Sequence, residues 1–108
     1  MNRVSTHVLD TALGRPAHGI GVTLERDGRV VGSGVTDADG RLRDLVSNAE
    51  LPEGTYRLTF QVEGYFAKQE RESFYVNVLI EFRIASGSGH YHVPLLLSPF
   101  GYSTYRGS

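Results

Sequence analysis

Apolar and polar residues alternate along much of this chain, and a period of two is typical of β-strands with one buried face. The alternation is clearest over residues 55–62, 75–84 and 90–98. Shorter runs of the same kind predict further strands at residues 4–9, 22–26, 29–35, 41–45 and 101–106. Only residues 64–71 have a pattern that favours a helix, and that segment is short.

Turn residues separate these strands. The dipeptide Asp27-Gly28 favours a two-residue hairpin, because both positions of such a turn need a positive φ. Residues 36–40 form a second polar turn, and residues 14–17 are expected to turn because they contain Gly14 and Pro16. Short strands at this spacing predict an all-β fold, an antiparallel β-sandwich with one short helix.

The composition fits a globular domain and narrows the classes of partner. With 108 residues, 40% of them hydrophobic, the chain is expected to form one domain, residues 1–108. The formal net charge of −1 argues against nucleic acid or an anionic membrane as a partner. No stretch approaches the roughly 18 apolar residues of a membrane span. The lack of cysteine excludes disulfides, thiol nucleophiles and thiolate metal sites.

The predicted strand over residues 90–98 has two different faces. One face is an apolar row suited to the core, made of Tyr91, Val93, Leu95 and Leu97. The other face carries His90 and His92 beside a proline and a leucine, which is an unusual combination for a surface in water. His7 lies on a similar face of the first strand. Histidines on the half-apolar outer faces of two strands predict a groove or a subunit interface.

Three interpretations of these histidines follow from the sequence. A histidine on a strand is usually structural or simply exposed. His90 and His92 point the same way and resemble a metal-binding pair, but carboxylates do not cluster nearby and His7 would have to be the third ligand. Imidazole as a general acid or base is the favoured chemistry, because its pKa lies near neutral pH. We therefore predict no functional metal site.

Two further segments bear on the chemistry. The turn at Asp39-Gly40 would project Arg41 from the start of the next strand, and it lacks the remaining ligands of a calcium loop. The chain ends in Tyr-Arg-Gly-Ser directly after a predicted strand, where Gly107 would let Ser108 bend back. A disordered tail is the alternative for this ending.

Three segments together resemble the transthyretin-related 5-hydroxyisourate hydrolases. They are STHVLD with GRPA near the start, TDADGR at residues 36–41, and HYHVPLLLSP continuing into YSTYRGS at the end. The likeness covers essentially the whole chain. The third segment is the most specific, because the hormone-carrying transthyretins lack its His-x-His and its Tyr-Arg-Gly-Ser ending. Residues 75–76 depart from the aromatic-aromatic-Pro of many relatives.

The resemblance implies a transthyretin-like β-sandwich with two four-stranded sheets and one short helix. The positions that match the family's catalytic residues are His7, Arg41, His92 and Ser108. The expected substrate-binding residues are His7, Arg41, Ser108 and Tyr105. By the period of two, Tyr105 would share a face with Ser103. His90 belongs to the motif and is expected to support the site rather than to react.

The resemblance also implies a reaction and an assembly. The reaction is hydrolytic ring opening of the purine-derived 5-hydroxyisourate to 2-oxo-4-hydroxy-4-carboxy-5-ureidoimidazoline in urate degradation, without a metal or an organic cofactor. In the mechanism that we expect, His7 or His92 deprotonates the attacking water. Arg41 would stabilise the oxyanion, and Ser108 would orient the water or the substrate. Family members are homotetramers, dimers of dimers with active sites at the dimer–dimer interface.

Two other functions fit a sandwich of this kind. The first is a small-ligand carrier without catalysis, which is disfavoured because a carrier channel gains nothing from His7, Arg41 and His92 together. The second is a structural or interaction module, which would be embedded in a longer chain and would not need the Tyr-Arg-Gly-Ser ending. The segments at both ends lack a recognisable targeting signal, which favours localisation in the cytoplasm, or in the periplasm if a signal peptide was removed.

Overall fold

The computed structural model describes residues 2–46, 51–87 and 89–108, and these form nine β-strands and one short α-helix. In chain order the elements are β1 (Arg3–Asp10), β2 (Arg15–Pro16), β3 (Gly21–Arg26), β4 (Arg29–Val35), β5 (Arg41–Leu42), β6 (Gly54–Gln61), α1 (Glu63–Ala67), β7 (Asn77–Ile84), β8 (His90–Ser98) and β9 (Gly101–Thr104). The sequence also predicts loops over residues 48–54 and 86–89, of which residues 48–50 and 88 lie outside the described residues.

The observed strands differ from the predicted ones mainly at their ends. The predicted turn at residues 14–17 contains β2, and β5 has two residues instead of the five predicted over 41–45. Residues 75–76 precede β7 instead of opening it, because the partner strand β6 ends at Gln61, opposite Asn77. The predicted hairpin turn is confirmed, since Asp27 and Gly28 have φ values of 52° and 78°.

The strands form two sheets that pack face to face. One sheet has the order β4-β3-β6-β7, and all of its neighbours are antiparallel. The other has the order β2-β1-β8-β9, with β5 also paired to β1. Both β2 and β5 pair along the edge of β1 that faces away from β8, so together they occupy one strand position. The predicted pair of four-stranded sheets is confirmed in this sense, although the second sheet counts five strands.

The prediction of an antiparallel β-sandwich is wrong for one central pair of strands. Strands β1 and β8 run parallel over eight residue pairs, from Arg3 opposite His90 to Asp10 opposite Leu97. A tight turn enforces antiparallel pairing only between strands that follow one another in the chain. These two strands are separated by most of the sequence, so their direction depends on the packing of the whole sandwich.

The core lies between the sheets on the faces that the alternation predicts. In β8, Tyr91, Val93, Leu95 and Leu97 are buried, with exposed fractions between 0% and 8%. The four-stranded sheet β4-β3-β6-β7 contributes large fully buried side chains to the same core, among them Leu24, Tyr56, Leu58 and Phe60. Burial of this apolar surface holds the two sheets together and leaves the opposite face of β8 free for the histidines.

The helix α1 is shorter than the predicted segment 64–71. It ends at Ala67, and the carbonyl oxygen of Phe66 then accepts the backbone N–H groups of both Gln69 and Arg71. Glu70 has a φ of 54°, a left-handed conformation that turns the chain back on itself. Within the described residues, no helix is long and apolar enough to cross a membrane.

A buried ion pair ties the segment after α1 to the end of β1. The Arg71 Nη1 atom lies 2.7 Å from Oδ2 of Asp10, whose side chain is fully buried. The Tyr65 hydroxyl donates to the same oxygen at 2.8 Å. Burial by itself raises the pKa of Asp10, but the hydrogen bonds from Arg71 and Tyr65 outweigh it, so the net pKa is lowered. This network fixes the end of β1, three residues beyond His7.

Candidate active site

The central strands β1 and β8 bring both histidines of the His-x-His motif to one hydroxyl group. Their parallel register sets Ser5 opposite His92 and Arg3 opposite His90. The Ser5 Oγ atom lies 2.7 Å from Nε2 of His90 and 2.8 Å from Nδ1 of His92. The centroids of the two imidazole rings are 6.1 Å apart. A single serine therefore joins the two imidazoles on the outer face of the sheet.

Arg41 is placed by the polar turn that precedes β5. Strand β5 pairs with β1 so that Arg41 lies opposite His7. The Asp37 Oδ1 atom accepts the backbone N–H of Asp39 at 2.9 Å and that of Arg41 at 3.0 Å, and the latter bond is the main reason that the pKa of Asp37 is lowered. Gly40 has a φ of 74°, and a Cβ there would lie 2.4 Å from a backbone oxygen of β1. The turn therefore requires glycine at this position.

The same turn holds His7. Its Nε2 atom lies 2.9 Å from the carbonyl oxygen of Asp39. Because a carbonyl oxygen only accepts hydrogen bonds, this Nε2 carries a proton and the neutral ring keeps its lone pair on Nδ1. The imidazole of His7 is half-buried beside Pro94, its partner in the register of β1 and β8.

The last residues of the chain fold back onto His92. The backbone N–H of Gly107 donates to the carbonyl oxygen of His92 at 2.7 Å, and the two residues form an isolated antiparallel bridge. A Cβ on Gly107 would lie only 2.5 Å from Cδ2 of His92, so the absent side chain allows this close approach. Ser108 follows and lines the same groove as His92. The end of the chain thus lies against the site, not free in solvent.

An open groove on the outer face collects these side chains. It is lined by Arg3, Ser5, Thr6, Arg41, Arg43, His90, His92 and Ser108. Three of the lining residues are arginines, and none of the lining side chains is a carboxylate. The groove is therefore suited to a polar ligand that carries or develops negative charge. Of the predicted site residues, Arg41, His92 and Ser108 meet here, while His7 lies on the adjacent position of β1.

His92 is electrostatically suited to accept a proton. Burial is the main cause that lowers its pKa from the ordinary value of 6.5, and the charges of His90, Arg41 and His7 lower it further. A histidine with a lowered pKa is neutral at pH 7, which is the form that a general base needs. Its Nδ1 atom is occupied by Ser5, so Nε2 is the atom left for chemistry.

Tyr105 lies outside this groove. Strand β9 ends at Thr104, so Tyr105 lies just beyond the strand, and its shared face with Ser103 stays a prediction. Tyr105 instead lines a second depression at the open edge between the two sheets, together with Phe82 of β7 and Tyr91 of β8. Its contact with substrate stays a prediction.

The histidines are not arranged as a metal centre in the part of the chain that the structure describes. Across residues 2–46, 51–87 and 89–108, no group of three or more His, Cys, Asp or Glu side chains is placed to hold a metal ion. Nε2 of His90 and Nδ1 of His92 both contact the hydroxyl of Ser5.

Three contributions to the site were not predicted from the sequence. They are the hydroxyl of Ser5 between two imidazoles, the carboxylate of Asp37 in the turn before Arg41, and the contact of Gly107 with the imidazole of His92. The role of Asp37 could have been predicted from the sequence, because an aspartate at the start of a turn commonly accepts hydrogen bonds from backbone N–H groups a few residues later. The other two depend on strands that are distant in sequence.

The two-layer sandwich and the histidine–arginine groove on its outer face define a transthyretin-type β-sandwich with a polar site. Residues 4–107 match the model of the HIUase/Transthyretin family, and the chain belongs to this family. The family and the fold predicted from the sequence are therefore confirmed.

Relatives within the family cover nearly the full chain. The 5-hydroxyisourate hydrolase 2 of Rhizobium meliloti (strain 1021) is 49% identical in an alignment that covers 98% of this chain and 96% of the relative. The structure of Klebsiella pneumoniae 5-hydroxyisourate hydrolase matches with a TM-score of 0.91 and 43% identity over 99% of this chain and 100% of that chain. Sea bream transthyretin in complex with thyroxine matches with a TM-score of 0.87 and 30% identity over 97% and 94% of the two chains.

Proposed function

We propose that this protein is a 5-hydroxyisourate hydrolase, which opens the six-membered ring of its substrate to give 2-oxo-4-hydroxy-4-carboxy-5-ureidoimidazoline in urate degradation. The observation that carries the proposal is the groove in which His92, Arg41 and Ser108 meet. Relatives of that name at 49% and 43% identity support it. The function is assigned to residues 1–108 as one catalytic domain, in the cytoplasm or, if a signal peptide has been removed, in the periplasm.

His92 acts as the general base in this proposal. It is neutral at pH 7 because its pKa is lowered, and its Nε2 atom takes a proton from the water that attacks the acyl carbon. The bond between this carbon and the ring nitrogen then breaks, and the proton passes from Nε2 to that nitrogen. A positioned base of this kind contributes about 10²- to 10⁴-fold to the rate. His7 is the alternative base, through Nδ1, because its Nε2 atom already donates to the carbonyl oxygen of Asp39.

Arg41 supplies the positive charge that the reaction needs. Water attack places negative charge on the carbonyl oxygen, and a fixed guanidinium stabilises that charge more in the transition state than in the ground state. Loss of one such oxyanion donor costs about 10²- to 10³-fold in kcat. Ser108 lines the groove with Arg41 and orients the water or the substrate.

We also propose that the protein is a homotetramer, a dimer of dimers with active sites at the dimer–dimer interface. The groove of one subunit has a volume of about 210 Å³, which is below the roughly 300–1,000 Å³ of typical ligand pockets. Leu9 and Leu96, paired in the register of β1 and β8, are half-buried on the same outer face. A second subunit packed on this face would complete the site. A fully active monomer in light scattering would contradict the assembly.

The direct test is ultraviolet monitoring of the decay of freshly made 5-hydroxyisourate. The wild type should accelerate decay strongly, whereas His92→Asn and a chain without Ser108 should each lose at least about 10²-fold. Comparison of His7→Asn with His92→Asn distinguishes the two candidate bases. Only the variant that lacks the true base should lose the decrease of kcat/KM at acidic pH. His18→Asn is the matched control, because His18 is exposed on a loop outside the groove. Decay at the spontaneous rate with the wild type would exclude the function.

A carrier is the second candidate, because sea bream transthyretin in complex with thyroxine has the same fold. The present groove is polar and basic, which suits a reacting oxyanion better than an apolar hormone ring. Tight binding of thyroxine without acceleration of 5-hydroxyisourate decay would replace the hydrolase by the carrier.

A further inference from the structure

Ser5 lies between the two histidines of the His-x-His motif in a way that the proposed reaction does not yet use. Its Oγ atom is 2.7 Å from Nε2 of His90 and 2.8 Å from Nδ1 of His92. Both distances are those of good hydrogen bonds, and Ser5 is only 5% exposed, so water competes little for its hydroxyl. The register of β1 and β8 sets this arrangement, since Ser5 pairs directly with His92.

The hydroxyl allows two arrangements of protons. It carries one hydrogen, so Ser5 donates to one ring and accepts from the other. In the first arrangement, Nδ1–H of His92 donates to Ser5, which donates to Nε2 of His90, and the lone pair of His92 is on Nε2. In the second, Nε2–H of His90 donates to Ser5, which donates to Nδ1 of His92, and His92 carries its proton on Nε2. Only in the first arrangement can Nε2 of His92 accept a proton in the groove.

The surroundings of His92 favour the first arrangement. Its Nε2 atom has no hydrogen-bond acceptor among the described residues, so a proton there would find no protein partner. The guanidinium of Arg41 lines the same groove, and a positive charge attracts a lone pair and repels an N–H dipole. The other titratable or charged side chains around this face are Arg3, His7, Arg43 and His90. His90 is exposed, so its Nδ1–H can donate to water.

We propose that Ser5 and His90 are positioning residues that hold His92 as its Nδ1–H tautomer and leave Nε2 to take the proton from the attacking water. When Nε2 takes that proton, His92 becomes an imidazolium and its Nδ1–H···Oγ bond to Ser5 becomes charge-assisted and stronger. The chain of hydrogen bonds thus stabilises the protonated base as well as its orientation. The proposal rests on the assignment of His92 as general base in the proposed function.

The test combines nitrogen-15 NMR of the histidine rings with kinetics. In the wild type without substrate, at neutral pH, His92 should be protonated on Nδ1 and unprotonated on Nε2. Ser5→Ala should populate both tautomers and lower kcat/KM by about 10- to 100-fold, less than the full loss of a general base. Ser5→Thr keeps a hydroxyl and should restore the tautomer and most of the activity.

A second pair of variants tests the other end of the chain. His90→Gln keeps an acceptor for the Ser5 hydroxyl and should stay within a few-fold of wild type, whereas His90→Phe removes the acceptor and should resemble Ser5→Ala. His90 is exposed, so these variants decide the question even if Ser5→Ala does not fold. Unfolding midpoints close to that of the wild type would show that positioning, not folding, is lost.

Two results would overturn the proposal. One is a wild-type His92 protonated on Nε2, and the other is a folded Ser5→Ala variant with the wild-type tautomer and kcat/KM. Failure of the hydrolase function itself would appear differently, as a wild type that leaves 5-hydroxyisourate to decay spontaneously, while the NMR measurement would still report the tautomer.

Discussion

Replacement of Gly107 by alanine is predicted to damage catalysis far more than stability. The backbone of Gly107 is held against His92 by a 2.7 Å hydrogen bond, and an added Cβ would lie 2.5 Å from Cδ2 of the imidazole. Ordinary contacts of this kind begin at 3.4 Å, so the ring or the terminal backbone must move by about 1 Å. Misplacement of a reacting group by that amount costs about 10²-fold in rate.

The assay is the decay of 5-hydroxyisourate, with urea unfolding of the same samples. We expect Gly107→Ala to lose about 10²-fold in kcat/KM and only about 1 kcal/mol of unfolding free energy, the low end of the cost of overpacking. Gly107 has no positive φ, so alanine adds no backbone strain. Gly101→Ala is the matched control, because its Cβ would have Ser98 Oγ as nearest atom at 3.7 Å. Activity of Gly107→Ala within about threefold of this control would refute the reasoning.

Three further predictions follow from the ion pair, the electrostatics and the chain end. Asp10→Asn leaves Arg71 without its charged partner and should lower the unfolding free energy by about 3 kcal/mol in urea titration. Because the folded-state pKa of Asp10 is lowered, its contribution is present above the ordinary pKa of 3.8 and is lost as the pH falls through the folded value, so the variant and the wild type should converge in acid. The decrease of kcat/KM at acidic pH should have its midpoint below pH 6.5, since burial and then neighbouring charges lower the pKa of His92. Arg41→Gln should lower the rate and move this midpoint to higher pH, because it removes one of those charges. An unchanged midpoint would contradict the assignment of His92 as the base. A peptide extension after Ser108 should reduce kcat/KM without changing the thermal midpoint, and unchanged kinetics would remove the chain end from the site.

The sequence by itself determined which way the side chains of each strand point. Successive side chains in a strand alternate between faces whatever the partner strands are, so the burial of Tyr91 and Val93 and the outward position of His92 followed from local pattern alone. The hairpin turn at Asp27-Gly28 was equally local, because positive φ is a property of the residues in the turn. The catalytic residues were predicted from the resemblance to a family, because the alternation of apolar and polar residues does not identify them.

Only the tertiary structure decided which strands meet and in what register. The parallel pairing of β1 with β8 places Ser5 beside His92, and a shift of one residue would send Ser5 to the other face. The same non-local pairing sets the last residue of each strand, which is why β9 ends at Thr104 and not at the predicted residue 106. Gly107 meets His92 only because the chain end returns to β8 after β9 has ended. Direction and register follow from the joint packing of two sheets over one core, a property that no local segment of the chain contains.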